Sequence, residues 1–275
     1  MLDSTIAYGL TFLVPALDRA IGNSLRFYGE FAKPEIDFLV ACAGERGTFI
    51  DVGANLGAIA LPFAQRRPEW RVIGVEAHRG MASLLAANAL NNRLYKVDAV
   101  HAAAGAEPGL IQFPAIDLST DMRFGLLNVD MEGPKEAVRM LTLDEIAPPD
   151  TRLVKIDVEG FEPQVIAGAR RLIENRSAVW LVEAVGSRPE ARAEVNEVFF
   201  KAGYDLYWFY APFATPTSPK AYPGNVGTGD VNVAAFPKGQ QPPWDLTPVG
   251  ASDEKAPTGI SGYRYLLPYG YKPDA

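Results

Sequence analysis

Between Thr48 and Leu61 the chain reads Thr-Phe-Ile-Asp-Val-Gly-Ala-Asn-Leu-Gly-Ala-Ile-Ala-Leu, and no other stretch constrains the fold as strongly. Thr48, Phe49, Ile50 and Val52 are β-branched or aromatic, an apolar run suited to a strand buried inside a parallel sheet. Gly53 and Gly57 bracket a tight turn, where a missing Cβ permits positive φ and lets a ligand approach the backbone. Ala58, Ile59, Ala60 and Leu61 then open a helix. Strand, glycine turn and helix N-terminus together make the geometry of a nucleotide site, although a glycine turn can also do no more than join a strand to a helix.

Details of the turn narrow the ligand. The spacing Gly-x-x-x-Gly differs from the Gly-x-Gly-x-x-Gly of dinucleotide sites, where the backbone closes on a pyrophosphate. Asp51 stands at the strand tip, repelling a pyrophosphate but attracting an ammonium or sulfonium group. Glu76 ends the next apolar run, Val72-Ile73-Gly74-Val75, where a carboxylate can accept both hydrogens of a ribose diol. A ribose joined to a cationic amino-acid arm describes S-adenosylmethionine. Two alternatives stand beside this expectation. An NAD-dependent oxidoreductase shares the ribose carboxylate but requires the tighter glycine triplet, and a non-catalytic protein could retain the fold for assembly.

Further along, hydrophobic periodicity alternates between strand and helix. Residues 6–20 are mostly apolar and interrupted by Pro15, which suggests a core-capping or dimer-contact element. A helix follows from Pro34, preceded by a connector carrying Tyr28 and Glu30, which either fold over a ligand or face solvent. Met81 to Leu90 is helical, and Tyr95 to His101 is a third strand leading into the small residues Ala102-Ala103-Ala104-Gly105. His101 either edges an adenine pocket, shuttles a proton, or is merely hydrogen-bonded at a strand end. From Leu110 to Arg139 periodicity is poor beyond a short strand, as in binding loops and lids.

The fourth strand, Leu153-Val154-Lys155-Ile156-Asp157-Val158-Glu159-Gly160, ends in carboxylates at the edge where open α/β sheets bind ligands. Capping of the next helix is the structural alternative for Glu159 and Glu162. Ala178 to Ala184 is a fifth strand, ending at Glu183, and a helix spans Glu190 to Ala202. Two strands, Tyr204 to Tyr210 and Asp230 to Phe236, then follow with no helix between them, which permits an antiparallel pair. The expectation is a seven-stranded doubly wound α/β sheet, mostly parallel with an antiparallel C-terminal strand. It divides the chain into an N-terminal helical cap (1–45), a core (46–236) and a proline- and aromatic-rich C-terminal wrap (237–275).

A net charge of −7 with no lysine and arginine cluster argues against a nucleic-acid partner and for a small hydroxylated acceptor. Cys42 is the only cysteine, which excludes an intrachain disulfide and fits a reducing compartment. There is neither a basic secretory start nor an apolar run of about 20 residues that could span a bilayer, so a cytoplasmic location is expected. A homo-oligomer is compatible with these features.

Phe49-Ile50-Asp51-Val52-Gly53-Ala54-Asn55-Leu56-Gly57, the Gly74-Val75-Glu76 strand end and Lys155-Ile156-Asp157-Val158-Glu159-Gly160-Phe161-Glu162 together resemble the FkbM family of S-adenosylmethionine-dependent methyltransferases. The resemblance runs from about Thr48 to Ala184, with Tyr28-Gly29-Glu30 similar to the family's upstream entry segment. His78-Arg79 departs from the proline common after the acidic strand end. It implies a class I, Rossmann-like methyltransferase fold and O-methylation of a sugar or secondary metabolite. The residues expected to hold the cofactor are Glu30, Asp51, Gly53, Ala54, Asn55, Gly57, Glu76, His101 and Asp157. Asp157 and Glu159 are the expected catalytic pair. Because an alcohol is a weak nucleophile at neutral pH, either a carboxylate base or Mg²⁺ held by Asp157, Glu159 and Glu183, with Asp98 a weaker candidate, is required.

Overall fold

The computed structural model describes residues 1–184, 186–220 and 228–272. In chain order the elements are β1 (Leu2–Ala7), β2 (Leu10–Pro15), α1 (Ile21–Phe27), α2 (Lys33–Cys42), β3 (Thr48–Val52), α3 (Ala60–Arg66), β4 (Arg71–Glu76), α4 (Arg79–Asn91) and β5 (Val97–His101). After these come β6 (Ala103–Ala104), β7 (Gly109–Pro114), β8 (Lys135–Leu141), α5 (Leu143–Ile146), β9 (Thr151–Ile156), α6 (Glu162–Ala167), α7 (Arg170–Glu174) and β10 (Val179–Glu183). The chain continues through α8 (Pro189–Ala202), β11 (Tyr204–Pro212), β12 (Gly229–Pro237) and β13 (Thr247–Pro248).

The central sheet has the order β13-β11-β12-β10-β9-β3-β4-β5. Strands β5, β4, β3, β9 and β10 run parallel, whereas β12, β11 and β13 are joined antiparallel. This is the expected doubly wound α/β sheet with one more strand than anticipated. The eighth is the two-residue β13, contributed by the tail to the edge of β11, and it is too short to leave a pattern in the sequence. Winding proceeds outward from β3 to β5, then crosses back to β9 on the other side of β3. The carboxyl ends of β3 and β9 therefore flank the topological switch point, where such sheets open a crevice.

Strand alternation assigns the two faces. Phe49, Leu153 and Leu181 pack on one side with Phe38, Phe63 and Phe236, while Ile50, Val52, Val154, Ile156, Trp180 and Val182 pack on the other with Phe199 and Trp208. By the same period, Asp51 and Lys155 lie on the Phe49 face, which α2 covers.

Residues 1–45 correct the expectation of a purely helical cap, because β1 and β2 form an antiparallel hairpin. Its two-residue turn, Tyr8-Gly9, has φ +56° and +75°, the twist that closes a tight hairpin. Asn88 of α4 holds the hairpin in place, accepting from the Leu13 amide (2.7 Å) and donating to the Leu13 carbonyl (3.1 Å). Residues 110–139 are also more regular than their periodicity suggests. β7 and β8 pair antiparallel, and with β6 they make a separate three-stranded sheet. Pro62 sits in the first turn of α3, where a helix tolerates proline.

The tail wraps over its own domain as far as 272. Trp244 packs on Phe38 and Tyr265 stacks on Phe209, with ring centroids 5.3 and 5.0 Å apart. Tyr269 donates to Asp37 (2.7 Å). Residues 273–275 of the expected wrap lie outside the described residues. No helix among the described residues is long and apolar enough to cross a membrane.

Candidate active site

The turn after β3 is drawn against the end of β9. The Asp157 amide donates to the Val52 carbonyl (3.0 Å). A Cβ added at Gly53, where φ is +79°, would stand 1.8 Å from the Asp157 carbonyl oxygen. Gly57, at φ +94°, meets Leu61 and Leu85 instead, so it serves packing of the helix rather than the crevice wall.

Two lobes open from this junction and share Gly53, Asn55, Gly125, Asp157 and Glu159. The first encloses about 720 Å³ between the β4 end and the segment after β5, with Glu76, Ala77, Ala102, Ala103 and Ala104 on one side and Phe113, Phe124 and Leu127 on another. The second encloses about 930 Å³ and adds Asp51, Ala54, Lys155, Asp230, Phe31 and Phe213. Gly125 lines both lobes, Phe124, Leu127 and Val129 the first and Leu126 the second, which gives part of the irregular stretch the binding-loop position expected of it.

Glu76 is held by the turn it faces. Its Oε2 accepts from the Asn55 amide (2.8 Å) and its Oε1 from the His78 amide (2.7 Å). Each oxygen keeps a second lone pair for a ligand hydroxyl. Burial pushes this carboxyl up to about 7 against those two bonds. Asn55 adopts φ +51°, a conformation asparagine tolerates, and this points its amide at Glu76. His78, where the family pattern has proline, caps α4 by accepting from the Met81 amide and reaches the Ile116 carbonyl at 2.8 Å.

A buried charge network lies under the second lobe. Parallel register sets Asp51 directly beside Lys155. The Lys155 ammonium is 2.9 Å from Asp157 and 3.9 Å from both Asp51 and Glu35 of α2. Burial alone would discharge Lys155, but the three carboxylates outweigh it and keep the amine protonated. Burial also raises Asp51 to about 6 and Glu35 to about 8, with Lys155 partly offsetting it. Asp51 is 1% exposed, and neither carboxylate oxygen has a hydrogen-bond partner among the described residues.

Beyond Lys155 the crevice gathers further carboxylates. Oxygens of Asp157, Glu159 and Glu183 lie within 4.8 Å of one another, with Glu159 held at φ +55°. Glu162 fixes that turn by accepting from the Val158 and Gly160 amides, both at 3.1 Å. Glu162 thus ties down the turn before α6 rather than capping that helix, whose N-cap Phe161 makes no side-chain cap bond, whereas Glu159 faces the crevice. Burial, followed by the nearby Asp157 and Asp230 charges, pushes Glu159 up to about 8. Glu183 and Asp230 are raised as well, by burial and by Asp157.

Of the expected residues, Asp51, Gly53, Ala54, Asn55, Glu76, Asp157 and Glu159 come together around the crevice. Glu30 is wholly buried beneath the loop after β11, and His101 is exposed with Nε2 3.2 Å from the Ala77 carbonyl; neither lines either lobe. Asp98 is correspondingly displaced from the acidic cluster, pairing with Arg71 at 2.7 Å. Lys155 and Asp230 were not singled out as site residues. Lys155 reads as one polar residue in an apolar strand until register sets it beside Asp51, and Asp230 comes from a strand 73 positions after Asp157.

Three solved structures share part of this architecture. A methyltransferase FkbM from Methylobacillus flagellatus KT has 15% identity and a TM-score of 0.49 over 70% of this chain and 44% of its own. The chain thus spans less than half the length of that protein. A precorrin-6y C5,15-methyltransferase from Geobacter metallireducens GS-15 has 13% identity and a TM-score of 0.47, covering 74% of this chain and 87% of its own. A SAM-dependent O-methyltransferase from Thermotoga maritima has 11% identity and a TM-score of 0.44, covering 76% and 67%. No curated protein matches the chain. The family described as Methyltransferase FkbM domain matches residues 51–206, more than half of the sequence and all of the strand-end motifs described above, and the chain belongs to that family.

Proposed function

We propose that the protein transfers a methyl group from S-adenosylmethionine to a hydroxyl of a small acceptor, a sugar or a secondary metabolite. The observation that carries this reading is the shared junction of the two lobes. Glu76 and the alanine run suit an adenosine on one side, and Asp157 and Glu159 stand between that position and the second lobe. Family membership favours methyl transfer over the hydride-transfer alternative.

When bound, the cofactor supplies an activated methyl group on a sulfonium. The protein's task is to bind, orient and deprotonate. Glu76, fixed by the Asn55 and His78 amides, would accept from a ribose diol, and Gly53 lets the end of β3 lie close against Asp157 at the junction of the lobes. The carboxylates at the strand ends favour the arm's positive charges. Glu159 would take the acceptor's hydroxyl proton, readying that oxygen for the activated methyl group the cofactor would supply. At about 8, its affinity for that proton is far better matched to the task than an ordinary carboxylate's. Asp157, fixed by Lys155, orients the acceptor. The same oxygen-only set of Asp157, Glu159 and Glu183 would suit Mg²⁺, which would favour the alkoxide in place of a base.

Calorimetry with S-adenosylhomocysteine tests the first half of the proposal, and absence of heat at high micromolar ligand sinks it. Methyl transfer to a panel of hydroxylated acceptors, followed with Glu159→Gln, tests the second. The variant should retain S-adenosylhomocysteine binding and lose about 10²–10⁴-fold in rate. Wild-type rate should rise with pH toward a plateau above about 8, because Glu159 must be ionised. Abolition of activity by EDTA and its restoration by Mg²⁺ would favour the metal route.

A further inference from the structure

The connector that enters the crevice from the N-terminal side is organised around a carboxylate that takes no part in the chemistry above. Glu30 Oε1 accepts from the Thr215 amide (2.6 Å) and the Ser218 hydroxyl (2.9 Å), while Oε2 is buried with no hydrogen-bond partner among the described residues. Around it, the Ala32 amide donates to the Phe213 carbonyl (3.0 Å), and the Ser24 hydroxyl donates to the Glu30 carbonyl (2.7 Å) and reaches that of Phe213 (3.2 Å). Behind the connector, the Tyr8 hydroxyl accepts from the Phe31 amide (2.8 Å) and donates to its carbonyl (2.7 Å). Bonds from Ala32, Thr215, Ser218 and Ser24 thus fasten segments 28–32 and 213–218 together, and the Lys220 amide adds one to the Tyr28 carbonyl (3.1 Å). A carboxylate buried with one oxygen vacant carries a large desolvation penalty, and here both of its donors come from a single loop.

On the crevice side the fastening presents two rings. Phe31 and Phe213 stack with centroids 5.3 Å apart and an interplanar angle of 15°. Both are half-buried, and both line the lobe that also holds Asp157, Glu159 and Asp230. That lobe therefore joins an aromatic wall to a carboxylate floor. A saturated or aromatic six-membered ring has the matching form, with an apolar face for the wall and hydroxyls at its edge for the floor.

We propose that Glu30 is a positioning residue which, through Thr215 and Ser218, sets the Phe31–Phe213 pair as a ring-binding wall, and that the acceptor presents the face of a carbohydrate or aromatic ring to it. The proposal rests on the methyl-transfer reading and adds the form of the acceptor. It also gives Glu30 a task different from the cofactor contact expected from the sequence.

The test uses the intact 275-residue chain with saturating S-adenosylhomocysteine and saturation-transfer NMR. Methyl β-D-glucopyranoside is the carbohydrate probe and phenol the aromatic one. At least one probe should take up saturation in the wild type, and whichever does identifies the kind of ring. Glu30→Gln, whose amide oxygen still accepts from Thr215 and Ser218, should retain the signal. Glu30→Ala and Phe213→Ala should each lose it by about fivefold or more, with S-adenosylhomocysteine affinity within about twofold of wild type by calorimetry. Absence of ring saturation in a wild type that binds S-adenosylhomocysteine overturns the proposal, as does an undiminished ring signal in Glu30→Ala. A loss of about tenfold or more in S-adenosylhomocysteine affinity in Glu30→Ala would return Glu30 to the cofactor site and also overturn it. If Glu30→Ala does not fold, Phe213→Ala decides alone, an undiminished signal there being fatal. A wild type that binds no S-adenosylhomocysteine would overturn the underlying reading first.

Discussion

Replacing Gly53 with alanine tests whether the junction of β3 and β9 is the keystone of the site. The added Cβ would lie 1.8 Å from the Asp157 carbonyl oxygen, whereas real Cβ atoms essentially never approach within 3.0 Å, so the two strand ends must part by about 1.2 Å. An L-residue held at φ +79° adds about 1–2 kcal/mol of backbone strain. Parting the ends also breaks the Asp157-to-Val52 hydrogen bond, worth about 1 kcal/mol. The expected loss is therefore about 2–3 kcal/mol in urea unfolding. Because a displacement of about 1 Å in a preorganised site costs on the order of 10²-fold, S-adenosylhomocysteine affinity should fall by more than tenfold. Gly44→Ala is the control, since nothing lies within 4 Å of its Cβ position and its φ is ordinary; it should stay within about 0.5 kcal/mol of wild type. A Gly53→Ala protein within 1 kcal/mol of wild type and binding S-adenosylhomocysteine normally would refute the reasoning.

Glu76→Ala should weaken S-adenosylhomocysteine by about 1–3 kcal/mol through lost ribose bonds, and unchanged calorimetric affinity would remove Glu76 from the site. Lys155→Met leaves Asp51, Asp157 and Glu35 without their cation and should destabilise the fold by about 3–5 kcal/mol at pH 8. That deficit should shrink as pH falls from 8 to about 6, as first Glu35 and then Asp51 take up protons; a deficit independent of pH would contradict the network. Glu35 is raised from 4.5 to about 8, so its protonated form favours the fold. Its contribution is complete below pH 4.5 and is lost as pH rises through 8. Wild type should therefore lose stability across that window more steeply than Glu35→Gln in parallel urea titrations, and equal slopes would refute the assignment.

Elements whose residues act locally were legible in the chain. The Thr48–Val52 strand, the Gly53 turn and the carboxylates at 76, 157 and 159 announce themselves because apolar period, glycine and strand end are neighbours in sequence. The hairpin at β1 and β2 was not, since Tyr8-Gly9 is an uncommon tight-turn pair and Pro15 suggested a broken helix instead. The surroundings of Glu30 were not legible either. Its sequence position left it folding over a ligand or facing solvent, because its partners, Thr215 and Ser218, lie 185 and 188 positions away.

By itself, the sequence determined which strand ends carry acid and where the backbone must turn without a side chain, because both depend on the covalent order of adjacent residues. Only the tertiary structure decided which charges meet. Parallel register brought Lys155 beside Asp51, α2 brought Glu35 over it, and the reversal at β12 brought Asp230 to Asp157. Burial then shifted those groups' protonation, and burial is a property of the packed chain that no short stretch of residues possesses.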